Sequence, residues 1–307
     1  MLRTSLDHLP ASRQRELAHV TRVLCEEFEA AHAIGTKDWK KAKRIFKIVL
    51  YGSFARGDWV DDPVGGYQSD YDILVVVNDE RLTEFEYWSA AEDRLMRDTT
   101  ITKALSAPVN FIVHSLTDVN AQLEKGRPFF VDIVSQGIAL CEAEGFPFAQ
   151  PRDLPPEEAR AEAQNYFSDW YPSAETFLQN GLDNIERQRP KEAAFLLHQS
   201  VERFYHCALL VLGLYSPKSH RLNFLRSHAE EIAPELIAAW PRGDRFSRRG
   251  FELLKQAYVN ARYSPHYEIS DEELRWIAAR VADLQTLVKA VCERRLAGDW
   301  ERPATSE

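Results

Sequence analysis

Lys47-Ile48-Val49-Leu50-Tyr51-Gly52-Ser53-Phe54-Ala55-Arg56-Gly57-Asp58, followed by Ser69-Asp70-Tyr71-Asp72-Ile73-Leu74-Val75-Val76-Val77, decides how this chain is read. The pattern is an apolar strand, a Gly-Ser turn that opens a helix, and a second apolar strand that begins with two alternate carboxylates. Strand side chains repeat every two residues, so Asp70 and Asp72 project from one face. Two carboxylates on one strand edge, beside the backbone N–H groups of a helix start, suit a magnesium-bound triphosphate. The competing reading is a Ser-Asp turn with Asp72 exposed at a strand start. The upstream Gly-Ser and the five apolar residues after Asp72 favour the metal.

Working outward, the spacing of Leu17, Val20, Val23-Leu24 and Phe28 predicts an amphipathic helix over about 12–32. A second helical piece is expected at about 38–45. Leu82, Phe85, Trp88, Leu95 and Met96 predict another helix after the second strand. Ala107 to His114 reads as a third strand, with Pro108 at its start, where a missing N–H is tolerated. Short helices are expected at about 117–124 and 128–136, before an apolar run from Ile138 to Cys141. Four prolines between Gly145 and Pro156 then mark a linker. Beyond it only helices are expected, at about 157–180, 191–213, 221–232, 245–261 and 271–295. The last opens on a capping box, Ser270-x-x-Glu273. The division is therefore 1–144, a linker at 145–156, and a helical bundle at 157–307, with the ends 1–10 and 299–307 expected to fray.

Composition sets the limits. The 307 residues suffice for two domains, and 45% hydrophobic with 28% charged residues is a globular balance. No apolar run approaches the roughly 20 residues of a membrane span, and the N-terminus lacks a signal-peptide core, so cytoplasmic residence is the expectation. Cys25, Cys141, Cys207 and Cys292 have neither zinc nor redox spacing and read as reduced packing residues. A net charge of −9 argues against indiscriminate coating of nucleic acid. The cluster Arg242, Arg245, Arg248 and Arg249 reads as a solvated helix start.

Gly52-Ser53-Phe54-Ala55-Arg56-Gly57-Asp58 with Ser69-Asp70-Tyr71-Asp72 resembles the signature of polymerase-beta-superfamily nucleotidyltransferases of the minimal and antibiotic-modifying branch. The resemblance implies a small mixed sheet with helices, and transfer of a nucleoside monophosphate from NTP (ATP first among them) to an acceptor, with release of pyrophosphate. On it, Gly52 admits the phosphates, Ser53 donates to a phosphate oxygen, and Asp70 and Asp72 hold Mg2+. Arg56 either contacts phosphate or pairs with Asp58 or Asp72. The segment from Trp59 to Tyr67 is longer than in compact members and is expected to fold over the site. Where the family carries a third carboxylate, this chain offers Asn110, which cannot accept a proton from a hydroxyl. His114, on the same strand face, is the candidate base, against a reading as a buried histidine bonded to a carbonyl.

In the second part, His198 to His206, Ser216 to Leu222, and Tyr258 to Tyr267 resemble HEPN domains, which pair with minimal nucleotidyltransferases in prokaryotes. The fold expected is therefore α+β: a nucleotidyltransferase domain followed by an all-α HEPN bundle, which in this family commonly dimerises. Many HEPN domains are ribonucleases that use Arg-x4–6-His. Arg262 and His266 here have three residues between them, so RNA cleavage is not favoured. Lys218, His220 and Arg262 are candidates for an anion pocket, with Lys218 and Arg262 assigned to nucleotide. His198 and His206, two helical turns or roughly 12 Å apart, are too distant to share a zinc ion. Three functions compete: a nucleotidyltransferase acting on a small-molecule or protein acceptor, an RNA-directed toxin–antitoxin-like protein, and a non-catalytic nucleotide sensor.

Overall fold

The computed structural model describes residues 2–31, 43–62, 67–298 and 300. The chain divides into two units between Asp153 and Leu154. The first unit is built on a four-stranded mixed sheet. β1 (Ile45–Tyr51) lies antiparallel to both β4 (Tyr71–Val77) and β6 (Ile138–Glu142), and β5 (Val109–Ser115) runs parallel to β4. The order is β5-β4-β1-β6. β1 and β4 are central and covered on both faces, which is why their sequences are nearly unbroken apolar runs. The exception is Lys47, buried on β1, whose ammonium pairs with Glu142 of β6 and lies over the Phe148 ring.

One sheet face carries Ile48, Leu50, Ile73, Val75 and Val77, packed against α1 (Ala11–Ala31). The α1 residues that reach this core are Leu17, Val20, Val23, Leu24 and Phe28, the stripe its periodicity predicts. The stretch after β4 is not one helix. It forms two 3₁₀ turns, Glu80–Thr83 and Phe85–Tyr87, before α3 (Ser89–Thr100). Glu84 between them is extended, and the Asp79 carboxylate caps the first turn by accepting from Arg81 N–H. The other face is covered by α4 (Leu116–Glu124), which lies on β4 and β5, and α5 (Pro128–Gln136), which lies on β1. The two-residue strands β2 (Asp61–Asp62) and β3 (Tyr67–Gln68) form a small hairpin.

The expected helix at 38–45 falls mostly outside the described residues; 43–44 are irregular, and Ile45 already belongs to β1. Residues 2–10 are not frayed. Leu2 and Leu9 are buried, and Arg3 bridges to Ile138, so the segment continues the sheet beyond β6. At the other end Trp300 is buried beneath the Arg295 guanidinium; 299 and 301–307 lie outside the described residues. Cys141 is exposed on β6, so it is not a packing residue, whereas Cys207 and Cys292 are buried thiols.

The second unit is helical: α6 (Pro156–Glu186), α7 (Pro190–Gly213), α8 (Leu222–Ile232), α9 (Arg245–Tyr263) and α10 (Asp271–Ala297), with a 3₁₀ turn at Pro234–Ala239. α7 packs against the other four helices and is buried on most of its circumference. Gly181 of α6 lets that helix approach it: a Cβ there would sit 3.0 Å from a methyl of Leu197. The Ser270–Glu273 capping box is formed in both directions at the start of α10. A small mixed sheet followed by a helical bundle is the α+β architecture expected.

Candidate functional site

β1 leaves the sheet at Tyr51, and the chain turns at once into α2 (Gly52–Arg56). Gly52 has φ +71°, a left-handed conformation that costs an L-residue roughly 1–2 kcal/mol. Gly57 ends the helix at φ +91° and donates to the Ser53 carbonyl at 2.8 Å; Asp58 N–H donates to the same oxygen at 3.1 Å. With only five residues, α2 has little dipole; the useful feature is the turn of backbone N–H groups at its start. Ser53 is buried there, at 9% exposure.

The strand register does the rest. Tyr51 of β1 pairs with Asp72 of β4, and Asp72 with Asn110 of β5, so three adjacent strands put these residues in one row. Cross-strand partners share a sheet face. Asp70, one alternation before Asp72, extends that face past the start of β4. The turn is anchored on both sides: Tyr71 N–H donates to Pro108 O at 2.8 Å, and Ser69 exchanges bonds with Val60 at 2.8 and 2.9 Å. Behind it the Tyr71 ring packs on Phe54, and its hydroxyl donates to Glu16 at 2.9 Å. Burial foremost, then the Glu16 charge, raises the Tyr71 phenol well above its ordinary range.

Asp72 is 3% exposed and Asp70 half-buried. Asn110, 6% exposed, donates from Nδ2 to Asp70 Oδ2 at 2.7 Å. Sequence reasoning noticed Asn110 as a missing carboxylate but not as the partner of Asp70. The signal was available only as two strand starts that have to align.

Arg56 pairs through Nε with Asp58 at 3.2 Å, one of the partners weighed for it. Both side chains are substantially exposed, and such a pair adds little stability. The hairpin β2–β3 occupies the long segment before Asp70, with Trp59 stacked on Phe54 at 5.4 Å; residues 63–66 lie outside the described residues.

His114 is not brought to this site. It pairs with Val76, four positions along β5 from Asn110, a separation of about 13 Å at the usual strand rise. Its Nδ1 bonds the Asp118 carboxylate at 2.6 Å, and its ring meets Phe130 edge-on. The candidate base is thus too far from Asp70 and Asp72 to take a proton there, and its Nδ1 is bonded to a carboxylate.

The donor set fits a hard cation. Among the described residues no group of three or more His, Cys, Asp or Glu forms a metal cage. What the row offers is two carboxylates and an amide, and magnesium is commonly held by one or two carboxylates plus substrate phosphates.

In the second unit, Arg262 is exposed. Its Nε donates to Tyr258 O at 2.7 Å, and its guanidinium lies over Tyr258 at 4.7 Å and Phe195 at 5.0 Å. His220 stacks on the same Tyr258 ring at 4.9 Å and bonds the buried Glu202 at 2.9 Å. Arg262 and His220 therefore meet across Tyr258, while Lys218 is exposed in the preceding loop and His266 beyond the end of α9. That loop is held by His206, whose two ring nitrogens bond Ser216 Oγ at 2.6 Å and Ser219 O at 3.2 Å. Burial foremost pushes His206 down to about 4; burial, then the neighbouring His220 and Arg262, pushes His198 down to about 3. Glu202 and Tyr258 lie within the stretches that resemble HEPN domains, but nothing in the sequence singled them out, and Phe195 lies outside those stretches.

With this geometry in place, the family comparisons are direct. Residues 36–142 match the model described as polymerase beta, nucleotidyltransferase, and residues 167–291 match the model of the HEPN domain. The chain carries a nucleotidyltransferase domain followed by a HEPN domain. No curated protein matches it. Among the described residues, no helix is long and apolar enough to cross a membrane.

Proposed function

We propose that the first unit transfers a nucleoside monophosphate from an NTP, ATP in the simplest case, to a small molecule or a protein side chain. The observation that carries this reading is the single row of Tyr51, Asp72 and Asn110, with Gly52 turning away at its end and Asp70 beside it. Asp70 and Asp72 would hold Mg2+. When bound, the ion neutralises charge developing on the leaving pyrophosphate. Gly52 leaves room for the phosphates, and Ser53 with the N–H groups of the turn donates to their oxygens. Arg56, paired with Asp58 at the surface, would contact a phosphate. The acceptor oxygen attacks the α-phosphorus, its proton passing to solvent, as the phosphorus bond to the bridging oxygen breaks and pyrophosphate leaves; His114 has no part in that step.

In the second unit, Arg262 and His220 across Tyr258, with Lys218 nearby in sequence, support a role in binding nucleotide or a phosphorylated acceptor. Two copies are proposed to pair through the helical bundle, in a prokaryotic cytoplasm. A nucleotide-sensing role is the second reading, and Asn110 is the residue that favours it. Incubation of the full chain with labelled NTPs, magnesium and cell extract tests the first reading. Label transferred to an acceptor by the wild type but not by Asp70→Asn/Asp72→Asn supports it. Binding without transfer favours the sensor.

A further inference from the structure

The position of Asn110 says how many cations this site takes, an inference that rests on the nucleotidyl-transfer reading. Asn110 sits level with Asp72, is 6% exposed, and points its amide N–H at Asp70 Oδ2, 2.7 Å away. Two consequences follow from elementary chemistry. An amide is neutral, so the row brings two negative charges where a third carboxylate would make three. Two divalent cations about 3.5–4 Å apart repel strongly and need carboxylates that bridge them. Two carboxylates, one of them already engaged by an N–H donor, supply one cation together with phosphate oxygens.

The same hydrogen bond has a positive role. A charge-assisted N–H···O contact from a buried amide restrains the plane of the Asp70 carboxylate at the turn ahead of β4. We propose that the site takes one divalent cation per chain, together with the triphosphate, and that Asn110 is a positioning residue that orients Asp70 toward it.

Manganese electron paramagnetic resonance tests this on the full chain, with protein in excess over a non-hydrolysable NTP analogue. The wild type is expected to show an isolated ion, and Asn110→Asp a spin-coupled pair. Asn110→Ala is expected to keep the isolated ion with about tenfold weaker affinity, the worth of one charge-assisted hydrogen bond. A coupled pair in the wild type overturns the proposal, as does an isolated ion in a folded Asn110→Asp, or an unchanged affinity in Asn110→Ala. Should Asn110→Asp fail to fold, the wild-type spectrum and Asn110→Ala decide between these outcomes. Protein-bound manganese retained in Asp70→Asn/Asp72→Asn would instead refute the placement of the site itself, so the two failures are distinguishable.

Discussion

Replacing Asp70 and Asp72 together by Asn is the sharpest test of the first unit. Asn is nearly isosteric with Asp, so Asn110 can still bond residue 70, and the strand pairing of residue 72 with Tyr51 and Asn110 is untouched. What changes is charge: the row loses both of its negative charges, and with them its hold on a divalent ion. In the wild type, a Mg–NTP complex at a hundredfold excess over Kd stabilises the folded state by about 2.7 kcal/mol. For a domain near 150 residues, 1 kcal/mol moves Tm by roughly 2–4 °C, so the expected shift is about 5–10 °C. The apo variant is expected to melt close to the wild type, since a charge-assisted hydrogen bond becomes a neutral one, at a cost of about 1 kcal/mol. The assay is thermal melting of both proteins, alone, with NTP and magnesium, and with NTP and EDTA. A magnesium-dependent shift that survives in the double variant would refute the assignment, as would an equal shift of the wild type in EDTA.

His114→Ala should leave nucleotide binding and turnover within about twofold of the wild type; a loss on the order of 10²–10⁴ would restore it as a base. Arg262→Ala should weaken AMP binding measured calorimetrically in EDTA, and neither it nor His266→Ala should alter the yield of EDTA-resistant RNA cleavage; cleavage lost in His266→Ala would favour the RNA-directed function. The helical unit should lose stability as pH falls. His206 and His228 are each held by burial at about 4, against 6.5 when unfolded, so between those values the unfolded chain binds protons that the native one does not. Each contributes up to about 3 kcal/mol, fully present above pH 6.5 and lost by pH 4. His228→Phe, in contact with Phe224, should flatten this slope in chemical denaturation between pH 7 and 4; an unchanged slope would show that His228 does not contribute to it.

Local chemistry was legible without a structure. The period-two alternation of 70–77 alone put Asp70 and Asp72 on one face, and the Gly52-Ser53 turn followed from an apolar run that ends in glycine. The helices of the second unit announced themselves through spacing and caps, because helical hydrogen bonds join residues four apart. The same locality explains why the helix expected after β4 broke into 3₁₀ turns: the Asp79 cap and the extended Glu84 compete within a few residues for the same backbone.

Which residues meet across strands was decided only by tertiary structure. Asn110 and His114 lie on one strand face and look equivalent as neighbours of the carboxylates. Register separates them, setting Asn110 against Asp72 and His114 against Val76. That register is fixed by backbone hydrogen bonds between segments about forty residues apart and by the helices packed on both faces, neither of which leaves a mark in the spacing of either strand. The same holds in the bundle, where His220, Glu202 and Tyr258 come from a loop and two helices. The amino-acid sequence determined which groups were available; the alignment of distant backbones determined which of them share a site.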